Sequence, residues 1–246
     1  MARAYLWKGD TENAKRYAGE IIDLMESSAS SLPFSWINPS SVASGADRKN
    51  QDRIFSSEHI FNLVIDDWED TSNNYLTENA SIKIFKPGNA KTDEIFETNR
   101  GLGNDYRRLD GVGYTIIGED YYPCKLWYVE GSAYNNLVPL IRLTEMYYIM
   151  AECLKDTDPA RAIELLETVR SNRIPDVTPL STTLTADQIQ EEIFKEYRKE
   201  FLQEGQLFYY YKRRNEANIP GASVTPTKNV YVIPLPESEN QFGYQN

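Results

Sequence analysis

A stripe of small and apolar residues recurs at helical spacing in two distant parts of this chain, and any fold has to bury both. After the turn Lys8-Gly9-Asp10, residues Ala14, Tyr17, Ala18, Ile21, Ile22 and Met25 step forward by three and four. That spacing places them on one face of an amphipathic helix. Asp10 stands where a capping carboxylate accepts from the free amides of a first turn. Much later, Leu140 to Leu154 reads as a helix, Lys155-Asp156-Thr157 as a turn, and Asp158-Pro159 as a cap with proline at the first helical position. Ala162, Leu165, Leu166 and Val169 then repeat the stripe. The copies align without gaps: Asp10 on Asp158, Ala14 on Ala162, Tyr17 on Leu165, Ala18 on Leu166, Ile21 on Val169. Small residues at these steps let helices cross closely.

Other segments fit the same plan. Ala2 to Trp7 reads as the last turns of a helix too short to stand alone in water, which implies upstream sequence carrying any targeting signal. Thr185 and Gln188 have the spacing of a capping box, and Ile189, Ile193, Tyr197 and Phe201 continue one face at four-residue steps. Gly205 marks a break before an aromatic-rich helix from Gln206 to Arg214, Pro220 to Pro226 a loop, and Tyr231 to Pro234 an extended stretch. The two helix–turn–helix units resemble tetratricopeptide repeats. The expected fold is mainly α: tetratricopeptide-like repeats forming an α-α superhelix, interrupted by a long insertion. Its parts are a repeat remnant over 1–27, an insertion of loops and short strands over 28–138, a helical repeat with closing helices over 139–214, and an extended tail over 215–246.

The insertion carries the functional signal. Ile60 to Ile65 and Ser81 to Phe85 read as short strands, and a connection this long on a packed scaffold is where binding residues concentrate. Trp36, Trp68, Tyr75, Tyr121, Tyr122, Trp127 and Tyr128 sit among Asn73, Asn74, Asn135 and Asn136. A sugar offers a flat C–H face to an aromatic ring and hydroxyls to amides and carboxylates. Trp36, Trp68, Tyr75 and Trp127 are therefore candidate platforms, with Asp67 and Asn74 as polar partners. Several of these rings could equally fill the core beneath the insertion.

Composition narrows the alternatives. With 37 acidic against 26 basic residues, the formal charge of −11 opposes nucleic acid and anionic membrane surfaces; neutral ligands are compatible. The lone His59, beside a strand, is read as structural. Cys124 and Cys153 are read as free thiols, no Cys/His cluster has metal-ligand spacing, and no nucleophile elbow or phosphate loop occurs. Gly101-Leu102-Gly103 and Gly111-Val112-Gly113 are read as turns. The acidic pairs Asp66-Asp67, Glu69-Asp70, Asp93-Glu94 and Glu119-Asp120 leave glycoside hydrolysis as a lesser alternative. No catalytic residue, metal or cofactor is assigned, and the chain is not expected to be an enzyme.

Four ordered blocks carry a family resemblance. Arg142-Leu143-Thr144-Glu145 through Ala151-Glu152 resembles the R-x-x-E-x-x-L-x-x-A-E helix of SusD/RagB proteins. The alanine-containing helix ending at Val169 to Arg173, the set Glu196, Arg198, Glu200, Glu204-Gly205 and Lys212-Arg213, and the closing Tyr231 to Glu239 follow in the family's order. Leu207 and Tyr210-Tyr211 depart from the usual Arg and Asp-Leu, which marks a divergent branch. The resemblance implies a surface-exposed, lipid-anchored outer-membrane subunit, longer than this chain. It would capture a glycan or other nutrient and hand it to a SusC-like TonB-dependent transporter. A scaffold of that transporter complex without its own ligand site is the alternative. Arg142, Glu145, Glu152, Arg198 and Glu200 lie on or beside buried faces, where charges must be paired; they are read as structural.

Overall fold

The computed structural model describes residues 1–28, 31–43, 47–80, 82, 84, 86–222, 228–232 and 235–237. It divides into two compact units, Met1–Glu204 and Gly205–Asn246.

In the first unit the repeated pattern forms two helical hairpins. Helix α1 (Ala2–Lys8) ends on Gly9, whose left-handed φ of 77° directs its amide back to the Leu6 carbonyl. Asp10 then accepts from the Asn13 amide at 3.1 Å and opens α2 (Thr11–Ser28). The later hairpin repeats the device. Helix α5 (Leu143–Leu154) turns into α6 (Pro159–Ser171), where Asp158 accepts from the Arg161 amide at 3.1 Å ahead of Pro159. The aligned Ala14, Ala18, Ala162 and Leu166 are all fully buried. Helix α2 packs on both α1 and α5, α5 on α6, and α7 (Ala186–Glu200) covers α5 and α6. Thr185 and Gln188 close the predicted capping box at the start of α7.

The larger part of the insertion is a loop closed by a strand pair. Strand β1 (His59–Val64) pairs antiparallel with β4 (Leu137–Arg142), Val64 opposite Leu137 and His59 opposite Arg142. The helix expected from Leu140 therefore starts at Leu143. The apolar run before it is extended because β1 supplies its hydrogen-bond partners, and Arg142 becomes the N-cap position. Between the paired strands lie α3 (Trp68–Tyr75), α4 (Asn89–Ile95) and a hairpin of β2 (Tyr114–Ile117) with β3 (Asp120–Pro123). The two helices had no apolar stripe to announce them. The strand read over 81–85 lies largely outside the described residues. Gly111 turns with φ of 81°, and a Cβ on Gly113 would stand 1.8 Å from the Arg107 carbonyl oxygen; the backbone of this turn requires both glycines.

In the second unit, Gly205 (φ 72°) precedes α8 (Gln206–Arg214). Residues Lys228–Tyr231 form a 3-10 turn that takes in Tyr231, the first residue of the stretch expected to be extended. The Tyr231 hydroxyl donates to the Glu216 carbonyl at 2.6 Å and fixes that turn; residues 233–234 lie outside the described set. Both cysteines are free.

Candidate functional site

Beneath the insertion lies a buried set of charges that joins it to the helices. Glu200, fully buried on α7, accepts on Oε1 from Arg142 (2.5 Å), Arg173 (2.9 Å) and Thr144 (3.3 Å). Its Oε2 accepts from Arg107 (2.9 Å) and Arg173 (3.1 Å). Arg173 also grips Glu58 through two bonds of 2.8 and 2.5 Å. Arg107 binds Asp105 and Glu196 as well. Burial alone would raise the Glu200 carboxyl, but Arg173, Arg142 and Arg107 overcome it and hold it well below the usual range. Burial likewise opposes ionisation of Glu196, yet Arg107 and Lys199 bring it down to about 2. Lys125 donates to the Glu200 carbonyl at 2.8 Å and to the Glu204 carboxylate, while burial lowers it to about 8. Every one of these carboxylates is occupied and shut away from solvent, so the cluster is a clamp and not a reactive centre. The pairing read for Arg142 and Glu200 is present. Glu145 is paired with Arg3 at 2.5 Å and Arg198 with Glu94 at 3.5 Å.

His59 behaves as the structural residue expected. Its Nε2 lies 2.9 Å from the Ile54 carbonyl, and burial lowers it to about 4, so the ring is neutral.

The candidate platforms separate into three settings. Asp67, Trp68, Asn74 and Tyr75 come together on α3. Asp67, at a left-handed φ of 57°, precedes the helix, and Glu69 and Asp70 complement its N-terminal dipole. Three bonds seat α3 on the segment Leu126 to Tyr128. The Trp68 indole donates to the Leu126 carbonyl (2.8 Å), the Trp127 indole to the Leu76 carbonyl (2.8 Å), and the Tyr128 amide to the buried Ser72 hydroxyl (2.7 Å). Asn73, Asn74 and Tyr75 face outward, Tyr75 with 53 % of its surface exposed. Trp68 is half-buried, its ring edge committed to the strap. Trp127 is only 9 % exposed and lies beneath α3, its indole bonded to the Leu76 carbonyl. Trp36 is elsewhere: half-buried, tilted against Tyr147 at 5.1 Å, with the Arg173 guanidinium 5.9 Å from its ring.

Other features flagged in the sequence take local roles. Asn135 closes a loop by accepting from the Val129 amide at 3.0 Å and donating to the Val129 carbonyl at 2.6 Å. Asp66, Asp67, Glu69 and Asp70 are exposed, Asp93 is paired with Arg108 at 2.7 Å, and Asp120 with Lys86 at 2.5 Å. Among the described residues no group of histidines, cysteines or carboxylates is placed to hold a metal ion.

Sequence reasoning missed two surfaces. Strand β1, which runs into α3, exposes Phe61, Leu63 and Val64; their near-alternation with His59 and Asn62 was the available signal. A groove of about 630 Å³ runs between α6 and residues 177–182, lined by Ala160, Ile163, Val177, Pro179 and Leu180 among others. It has no aromatic wall. The segment bearing it is held to α6 by Glu167, which accepts from the Leu180 amide at 2.8 Å, and by Arg170, which donates to the Thr178 carbonyl at 3.1 Å. No helix among the described residues is long and apolar enough to cross a membrane.

Residues 127–241 match the model of the SusD family. Some 98 % of the chain superposes on a SusD superfamily protein from Bacteroides fragilis, with a TM-score of 0.65 and 22 % identity, covering 53 % of that protein. A SusD superfamily protein from Bacteroides vulgatus gives 0.67 and 19 % identity, with 98 % and 55 % of the two chains covered. Surface glycan-binding protein A from Bacteroides fluxus gives 0.63 and 19 %, with 98 % and 58 % covered. The chain thus spans little more than half the length of these solved structures. No curated protein sequence matches it.

Proposed function

We propose that this chain, whose residues 127–241 match the model of the SusD family, is part of a glycan-binding subunit of the cell surface, with α3 as ligand contact. The observation that carries the reading is the display of Tyr75, Asn74 and Asn73 on a short helix seated by three bonds on an ordered strap. An exposed phenol ring gives a sugar its apolar face, and amides and the Asp67 carboxylate give its hydroxyls partners. A rigid support limits the ordering cost of binding. Proteins of related fold include a surface glycan-binding protein and a SusD-like carbohydrate binding protein, in keeping with this ligand class. The chemistry is capture without catalysis. Outer-membrane attachment and delivery of the ligand to a SusC-like TonB-dependent transporter complete the proposal.

Calorimetric titration with plant, host and microbial oligosaccharides tests it. Binding that is lost in Tyr75→Ala and retained in Trp36→Ala supports α3 as the contact. Equal affinity in wild type and Tyr75→Ala removes α3 from the site. The apolar groove on α6 favours a second reading, a protein-docking scaffold of the transporter complex. Co-purification of a transporter by a chain that binds none of the sugars would favour that view.

A further inference from the structure

The strap from Cys124 to Tyr128 touches two things at once. Toward α3 it offers the three bonds already described. Toward the scaffold it meets the corner that follows α7: Lys125 Nζ donates to the Glu200 carbonyl (2.8 Å) and the Glu204 carboxylate, and the Leu126 amide donates to Gln203 Oε1 (3.3 Å). Gln203 makes its contact from a left-handed backbone, φ 63°, which a residue with a Cβ adopts only against a steric penalty. Such a conformation persists where surrounding contacts hold it. Here the held group is the acceptor for a buried amide of the strap.

We infer that Gln203 and Lys125 are positioning residues for the α3 surface, transmitting the fixed geometry of the α7 corner through Leu126, Trp127 and Tyr128 to Trp68, Ser72 and Leu76. The functional meaning of that positioning rests on α3 being the ligand contact; the mechanical link does not.

The left-handed backbone separates positioning from general stability. Gln203→Gly removes the acceptor and relieves the backbone, whereas Gln203→Glu keeps an acceptor oxygen on the same backbone. Hydrogen exchange and thermal melting of the full chain read both. The expected result for Gln203→Gly is a Tm equal to or above wild type, with amides of residues 68–77 exchanging about tenfold faster and α5 to α7 unchanged. Gln203→Glu should retain wild-type protection in 68–77. Lys125→Met gives an independent reading: it also takes a cation from the buried cluster and lowers the Tm, with residues 68–77 loosened more than α5 to α7. Unchanged protection there in both Gln203→Gly and Lys125→Met overturns the inference, as does loosening spread evenly over α3 and α5 to α7. Titration with the same oligosaccharides separates the two layers. If wild type binds none, the glycan reading falls and exchange still decides the link. If wild type binds and Gln203→Gly keeps full affinity with a loosened α3, positioning of the ligand surface is refuted.

Discussion

The two helical hairpins and the insertion are held by different physics. The hairpins meet chiefly through small residues, with Arg3–Glu145 as one partly buried ion pair between them: Ala14, Ala18, Ala151 and Ala162 are fully buried where α2, α5 and α6 pack. The insertion is attached by charge. Glu58, Asp105, Arg107 and Lys125 from the insertion meet Arg173, Glu196, Glu200 and Glu204 from the scaffold in a dry interior. Packing tolerates small volume changes and gives up stability gradually. A buried ion cluster does not, because removal of one member leaves its partners charged and unpaired. The insertion buries small apolar clusters of its own, Ile37, Val42, Phe55 and Val112 in one and Ile95, Phe96 and Tyr114 in another, and directional bonds fix it in one register on the scaffold.

The largest effect should follow from breaking the cluster at its centre. Glu200→Gln leaves Arg107, Arg142 and Arg173 facing a neutral amide, and a loss of about 3–5 kcal/mol is expected. Chemical denaturation measures it; a loss below about 1 kcal/mol would show that the arginines find other partners.

Acid should act on the same region. Glu196 (about 2, against a usual 4.5) and His59 (about 4, against 6.5) both sit below their ordinary values in the fold. The unfolded chain therefore binds more protons, and stability falls as pH falls. His59 contributes its loss between pH 6.5 and 4, and Glu196 between 4.5 and 2, the latter about 3 kcal/mol in all. Lys125, lowered to about 8 from 10.5, has the same sign and adds stability as pH rises from 8 to 10.5. Melting temperatures should rise from pH 3 to about 6.5, against the opposite sign of the buried Asp52 and Glu145, whose carboxyls burial raises, then level off to pH 8 and rise again toward 9. A maximum near pH 5 would contradict the assignment.

The hairpins should answer to volume instead. Ala162→Leu forces extra methylenes into the α5–α6 crossing, at about 1–3 kcal/mol, with the pH profile unchanged. A shifted profile would mean that the two regions are coupled more closely than their contacts suggest.

The same division decides what could be read from sequence. Periodicity announced the hairpins because each buries a continuous face, and the Asp10 and Asp158 caps marked their starts. Leu137–Arg142 defeated it: a short apolar run suits helix or strand alike, and its partner β1 (His59–Val64) lies far back along the chain. Helix α3 was invisible because Trp68–Tyr75 is rich in Asn, Ser and Thr, poor helix formers alone. Its conformation comes from Trp68 and Ser72 bonding to the strap and from the strap's Trp127 bonding to Leu76, which are tertiary contacts. Residue type picked the aromatic candidates but not their direction, so Trp127 faces inward and Tyr75 outward. Arg142 and Glu200 could be read as paired; Arg107 and Glu58 as their partners could not, since nothing in their neighbours signals burial.

Local capping gives a smaller, separable effect. Thr185→Ala removes the side-chain acceptor of the Gln188 amide at the start of α7 and should cost about 1 kcal/mol. Urea denaturation would detect it as a lower midpoint with an unchanged slope, since the exposed start of α7 is remote from the charges at its other end.

Tyr75→Ala should change stability least of all and function most. The ring is more than half exposed, and substitutions of this kind usually stay within about 0.5 kcal/mol. If α3 is a ligand surface, the same change removes a large apolar contact made only in the complex, and affinity should fall by about tenfold or more. Melting and calorimetry on one preparation decide the matter. A wild-type melt with lost binding assigns the ring to ligand. A melt lowered by 2 kcal/mol or more would instead make Tyr75 part of the insertion's packing, and the outward face of α3 would need another explanation.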